Sequence, residues 1–179
     1  MSVKLYKHQQ EVLQQTEHNN KVAYFLDMGL GKSFVGSYKA TSFTDPILVV
    51  CPKSLVPQWL QQFADNHDEW VRYDLTKKKQ LEQFITDDNN LRIGVINYES
   101  CWRRPELQKV KGVTLMLDES QAIANNTSKQ TKGIMKLDYK NVILLSGTPA
   151  SNARYDKLYT QLKLLKLDRK STCLNSSHQ

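Results

Sequence analysis

The chain has 179 residues, with 25 Lys+Arg against 18 Asp+Glu for a net charge of +7, and 40% of it is hydrophobic. That is the balance of a globular chain forming one domain or one large lobe, able to bury a core without staples, and its positive charge favours a polyanionic partner. The longest apolar runs are far too short to span a bilayer, Lys4, Lys7 and His8 break up any signal peptide, and three cysteines without metal-like spacing point to a reducing cytoplasm rather than a disulfide framework.

Along the chain, short apolar runs alternate with amphipathic segments. Leu5–Thr16 places Leu5, Val12 and Leu13 near one helical face. Val22–Leu26 reads as a buried strand, after which Gly29–Gly31 turn the chain into a helix opening at Lys32. Ile47–Cys51 is a second strand, broken by Pro52, and Ser54 is placed to cap a helix running through Trp59 and Phe63. Lys77–Ile85 is amphipathic, Leu91–Ile96 and Val113–Leu117 are further apolar strands, and Ser128–Leu137 is helical. Val142–Leu145 is another strand. Tyr155–Leu165 then carries a helical stripe of Tyr155, Leu158, Tyr159, Leu162 and Leu165. Strands alternating with helices predict an α/β fold, a mainly parallel sheet with helices on both faces. Ligands in such folds sit at the C-terminal ends of the strands, so the loops after Leu26, Cys51, Ile96, Leu117 and Leu145 are the ones to read for chemistry.

The strongest of them is Asp27-Met28-Gly29-Leu30-Gly31-Lys32-Ser33, between a strand and a helix. Glycines let successive N–H groups curl around phosphate oxygens, and the helix adds its positive N-terminal end. Lys32 would reach the β- and γ-phosphates and the Ser33 hydroxyl would ligate Mg²⁺. The full phosphate-loop pattern asks for another glycine where Leu26 stands. Asp118 and Glu119 follow the strand Val113–Leu117 directly. By themselves they are as consistent with a helix cap; downstream of a phosphate loop, Asp118 is the carboxylate for Mg²⁺ and Glu119 the base that orients the attacking water.

These residues resemble the superfamily-two helicases and, within them, the Swi/Snf-type DNA translocases. DMGLGKS at 27–33 is similar to the family's motif I, and DESQ at 118–121 to its motif II, a variant of the DEAH box. Ser146-Gly147-Thr148-Pro149, continuing to Asn152, resembles the motif that couples hydrolysis to movement. VVCPKSLVPQW (49–59) resembles motif Ia, VINYES (95–100) the segment after it, and Leu5-Tyr6-Lys7-His8-Gln9 the adenine-reading Q motif, with Gln9 as reader. The resemblance runs from Leu5 to about Leu165. Ser33 stands where Thr is commoner, and Ala124 where the family often has Lys.

The resemblance implies a RecA-like P-loop NTPase lobe, residues 1–167, that binds ATP and Mg²⁺ through Gln9, Met28, Gly29, Leu30, Gly31, Lys32, Ser33 and Asp118. Hydrolysis falls to Lys32 and Glu119, and coupling to Ser146, Gly147 and Thr148. The partner implied is DNA, double-stranded in most relatives, together with a second RecA-like lobe supplying arginine fingers; Arg154 and Arg169 lack the context for that role. Without that lobe, hydrolysis is expected to be very slow. Lys53, Ser54 and Gln58 are placed for DNA phosphates, although a helix cap with a surface lysine explains them equally well. Tyr98 fits either packing or a DNA contact, and Trp59, sharing a face with Phe63, fits the core. His8, His18 and His67 have no partners at ligand spacing, so no metal beyond Mg²⁺ is expected. Residues 168–179 (DRKSTCLNSSHQ) resemble one reading frame of a common sequencing adapter, apart from Cys173, and are expected to be disordered or foreign to the fold. Two further readings share these residues: a strand-separating helicase or restriction-system motor, and a nucleic-acid-binding module that does not hydrolyse.

Overall fold

Val, Ile and Leu fill the strand segments almost without interruption, and the sheet they build is buried on both faces. In a computed structural model describing residues 4–150 and 155–165, the strands are β1 (Lys21–Phe25), β2 (Ile47–Cys51), β3 (Val71–Asp74), β4 (Arg92–Asn97), β5 (Val113–Asp118) and β6 (Tyr139–Ser146). They lie in the order β1-β6-β5-β2-β4-β3, and every neighbouring pair is parallel. The helices are α1 (Lys7–Gln15), α2 (Lys32–Thr41), α3 (Val56–Asn66), α4 (Lys78–Thr86), α5 (Tyr98–Trp102), α6 (Lys129–Met135) and α7 (Tyr159–Leu164).

Strand alternation deals side chains to two cores. Ile47, Val49 and Cys51 of β2 pack with Val35 of α2 and with Trp59 and Phe63 of α3. Leu48 and Val50 point the other way, into a core with Phe84 of α4, Cys101 of α5, Ile134 of α6 and Leu164 of α7. Helices therefore cover both faces, as the pattern of strands and helices predicts. Backbones approach closely at Gly133, where a Cβ would stand 2.9 Å from Trp102 Cα, so α6 lies directly on α5.

Four local expectations differ. β3 has no apolar run to announce it: VRYD is an edge strand that pairs, among the described residues, only with β4 and stays half exposed. Ser54 caps nothing, because Lys53–Leu55 forms a 3-10 turn and α3 starts after Leu55 with Pro57 in its first turn, where a missing N–H costs no helical bond. Asp118 is the last residue of β5 rather than the first beyond it. The predicted stripe over 155–165 holds only at its leucines, with Leu165 buried and Leu158 and Leu162 half-buried. A 3-10 turn at Tyr155–Leu158 precedes α7, which rotates Tyr155 and Tyr159 outward and buries Thr160, Gln161, Leu164 and Leu165. The expectations for Asn152, Arg154, Arg169 and the tail 168–179 lie outside the described residues.

Candidate nucleotide-binding site

The strand order creates the site. β6 lies between β1 and β5, with Phe25 beside Ser146 and Leu145 beside Asp118. Lys32 beyond β1 and the last residues of β5 and β6, Asp118 and Ser146, therefore share one end of the sheet.

After β1 the chain turns through Gly29 (φ +84°) and Gly31 (φ +74°), a left-handed conformation that side chains resist. Gly31 is the N-cap of α2 and makes no side-chain cap, so the first-turn N–H groups are left for a ligand. Gly31 is also where α1 comes closest: a Cβ there would collide with the Gln9 amide. Gln9 is buried, donating from Nε2 to the Leu30 carbonyl (3.2 Å) and accepting at Oε1 from the Tyr6 N–H (2.9 Å). The amide assigned to adenine thus braces the phosphate loop. Lys32 Nζ reaches only the Asp27 carbonyl, at 3.5 Å, and forms no ion pair among the described residues.

Asp118 is 5% exposed, and its carboxylate is held at both oxygens. Trp59 Nε1 donates to Oδ2 at 2.8 Å, and the Glu119 N–H donates to Oδ1 at 2.9 Å. Burial raises the Asp118 pKa above the usual carboxylate value, against the lowering effect of the Trp59 donor. Glu119 leaves the strand in a left-handed conformation (φ +51°), one that for a residue with a Cβ is costly and tends to be kept at functional sites. A chain of hydrogen bonds follows. Gln121 Nε2 donates to Glu119 Oε2 (2.7 Å), Ser146 Oγ donates to Gln121 Oε1 (2.7 Å), and the Thr148 N–H donates to Ser146 Oγ (3.0 Å). The Ser146 hydroxyl thus connects to Glu119 through Gln121, whereas Thr148 joins the chain through its backbone N–H rather than its hydroxyl.

A cleft of about 290 Å³ is lined by Gly29, Gly31, Lys32, Ser33, Gln58, Trp59, Gln62, Asp118 and Glu119. One ammonium, one hydroxyl, two carboxylates and a helix N-terminus converge there, which is the donor set for a phosphate chain with its Mg²⁺. Among the described residues no group of three or more His, Cys, Asp or Glu stands together as a metal site. Met28, 87% exposed, stands at the rim.

The residues expected at nucleic acid divide. Lys53 and Ser54 are exposed on their 3-10 turn beyond β2. Gln58 instead lines the cleft. Tyr98 must be withdrawn as a DNA contact, because it is buried and its hydroxyl donates to the Asp118 carbonyl (2.7 Å), which fastens α5 to the end of β5. Sequence reasoning missed the indole of Trp59, the relay through Gln121, and two further glutamines. Gln62 Nε2 donates to the Ser33 carbonyl (2.8 Å). Gln161, fully buried on α7, accepts from Ser120 Oγ (2.6 Å) and donates to the Pro149 carbonyl (3.1 Å), tying the acidic loop to the loop after β6. Only Gln121 had a signal, as the fourth letter of DESQ; the others meet partners remote in sequence.

The profile of the SNF2-related domain matches residues 5–174. Among similar proteins, a Caenorhabditis elegans homolog of SWI/SNF-related matrix-associated actin-dependent regulator of chromatin subfamily A-like protein 1 is 29% identical over 90% of this chain and 24% of its own length. The putative ATP-dependent helicase/translocase YwqA of Bacillus subtilis is 32% identical over 70% of this chain and 15% of its own. The Sulfolobus solfataricus SWI2/SNF2 ATPase core in complex with dsDNA superposes with a TM-score of 0.78 at 22% identity, covering 89% of this chain and 35% of that one. The fold is thus that of the ATPase core, and this chain spans about a quarter or less of these curated relatives.

Proposed function

The chain belongs to the SNF2-related domain family, and on that premise we propose that it is the ATP-binding lobe of a DNA-dependent ATPase that moves along duplex DNA once joined to a second lobe. The observation that carries the proposal is the convergence of Lys32, Asp118 and Glu119 on one cleft beside the Gly29–Gly31 turn. Lys32, unpaired with any described carboxylate, is available to the β- and γ-phosphates, and the first-turn N–H groups of α2 receive their oxygens. Ser33 and Asp118 would hold Mg²⁺, which when bound offsets the negative charge of the phosphates. Glu119 accepts a proton from and orients the attacking water, while Gln121, bonded to both Glu119 and Ser146, carries its position to the loop of Thr148. Gln9 sits where α1 meets the loop, and through it adenine recognition would bear on loop shape.

DNA as partner is supported by the net charge of +7, by exposed Lys53 and Ser54, and by the fold shared with an ATPase core bound to dsDNA. The second lobe is proposed from coverage, since this chain matches 35% of that core. A reducing compartment is proposed from Cys51 and Cys101, both buried as free thiols.

The test is ATP hydrolysis by the chain joined to its second lobe, with and without duplex DNA, against a Lys32→Ala control. Duplex stimulation that Lys32→Ala loses supports the translocase lobe. Stimulation by single strands alone favours a strand-separating helicase. Folded protein that binds DNA and hydrolyses nothing overturns the enzyme reading in favour of a binding module.

A further inference from the structure

Both residues read as Mg²⁺ ligands are held by the same helix, Asp118 at its carboxylate and Ser33 at its backbone carbonyl. Trp59 and Gln62 are three residues apart on α3, hence neighbours on one face. Trp59 donates its indole N–H to Asp118 Oδ2 at 2.8 Å, and Gln62 donates its amide N–H to the Ser33 carbonyl at 2.8 Å. Gln62 also reaches Ser37 Oγ at 3.1 Å, one turn further along α2, so its amide spans two turns of the helix carrying Ser33. The Trp59 ring is 2% exposed and tilts against Phe63 with centroids 6.3 Å apart, so its own position is fixed by packing.

We propose that Trp59 and Gln62 are positioning residues for the Mg²⁺ site, holding Asp118 and Ser33 through the 2.8 Å contacts from α3. This rests on the nucleotide-site reading above. A carboxylate gripped at one oxygen can pivot about its side-chain bond; Asp118 is gripped at both, by Trp59 and by the Glu119 N–H, which fixes the plane of the carboxylate and leaves lone pairs on each oxygen for a ligand. Partners that orient a metal ligand in this way are worth roughly 10- to 100-fold in metal affinity. A tryptophan serving only as core filler would exchange for phenylalanine with no consequence for the metal.

The measurement is binding of a fluorescent ADP analogue to this chain while Mg²⁺ is titrated, comparing wild type with Trp59→Phe, which keeps an aromatic ring and removes the donor. The expected result is that Trp59→Phe needs about ten-fold more Mg²⁺ for half-maximal tight binding, while the two chains bind equally in excess EDTA. Gln62→Leu moves in the same direction and carries the test should Trp59→Phe fail to fold. One of the three tryptophan indole N–H resonances, absent in Trp59→Phe, shifts when Mg²⁺ is added to the ADP complex. Equal Mg²⁺ dependence in wild type and variants, or an equal loss with EDTA present, overturns the inference and leaves the nucleotide site standing. Wild-type chain that binds no nucleotide at any Mg²⁺ concentration defeats the site reading and the inference with it.

Discussion

His67 shows what burial does to a single residue outside the cleft. It is buried at the end of α3, hydrogen-bonded to Ser37 Oγ (3.2 Å) and packed edge-on against Tyr38. Burial lowers its pKa below the ordinary 6.5, with Glu69 acting weakly against it. The unfolded chain therefore takes up a proton before the folded one does, so the stability tied to neutral His67 is present above pH 6.5 and is lost as pH falls through the folded value. A His67→Gln chain, which keeps a polar partner for Ser37, is expected to lose less melting temperature than wild type between pH 7 and pH 5, on thermal scans; parallel curves would remove His67 as the cause. Residue identity was legible in the sequence wherever chemistry is local. Gly29, Gly31, Lys32 and Ser33 lie in one loop between a strand and a helix, which marks them, and the adjacent Asp118 and Glu119 gain their meaning from that loop. Trp59 bonded to Asp118, and Gln161 bonded to Ser120, join residues far apart in the chain, and nothing in either neighbourhood marks them. Tyr98, which the sequence leaves open between packing and a DNA contact, is decided the same way: it is buried, and the carbonyl that takes its hydroxyl is that of Asp118.

At the scale of elements, periodicity recovered those with an unbroken apolar signal. β2, β5 and β6 are buried along nearly their whole length, and their runs of Val, Ile and Leu are the imprint of that burial. β3 meets solvent at the sheet edge, and an edge strand needs no apolar run. At 155–165 the change from a 3-10 turn to α7 shifts the angle per residue, so a fixed helical period misplaces Tyr155 and Tyr159 and overlooks Thr160, Gln161 and Leu164. Two of the residues it buries, Thr160 and Gln161, are polar and satisfied by hydrogen bonds, to Ala124 for the first and to Ser120 and Pro149 for the second. Gly133 sets the distance between two elements. A Cβ there meets the Trp102 backbone, which has no rotamer to yield, so α6 must shift away from α5. Gly133→Ala is expected to destabilise the chain by about 1–3 kcal/mol, the usual range for overpacking, on denaturant unfolding. An unchanged midpoint would mean that the two helices separate freely.

For the whole molecule, the cleft is one-sided. Lys32, Asp118 and Glu119 line it, and Met28 and Leu30, in the same loop as its glycines, leave apolar surface in water. A surface of that kind, on a chain covering about a third of a related ATPase core, suits a second lobe closing over the nucleotide. Joining that lobe is expected to raise ATP turnover by on the order of 10³-fold or more, the scale on which an arginine finger acts. Single-turnover assays of the short and extended chains provide the comparison, and equal rates would show that the chain needs no partner for chemistry.

The pairing of β1 with β6 sets a timetable for synthesis. Lys21 finds its partner Val142 only after the whole stretch between them has been made, and among the described residues β1 has no other neighbour in the sheet. At ribosomal speeds the newborn β1 waits on the order of ten seconds with its edge unpaired. The loop of Gly29, Gly31 and Lys32 follows that strand directly, so a nucleotide bound there is expected to stabilise the chain only once the sixth strand has left the exit tunnel. Protection of the first strand, by a chaperone or by local collapse onto α1 and α2, is the demand this topology makes on the cell that builds it.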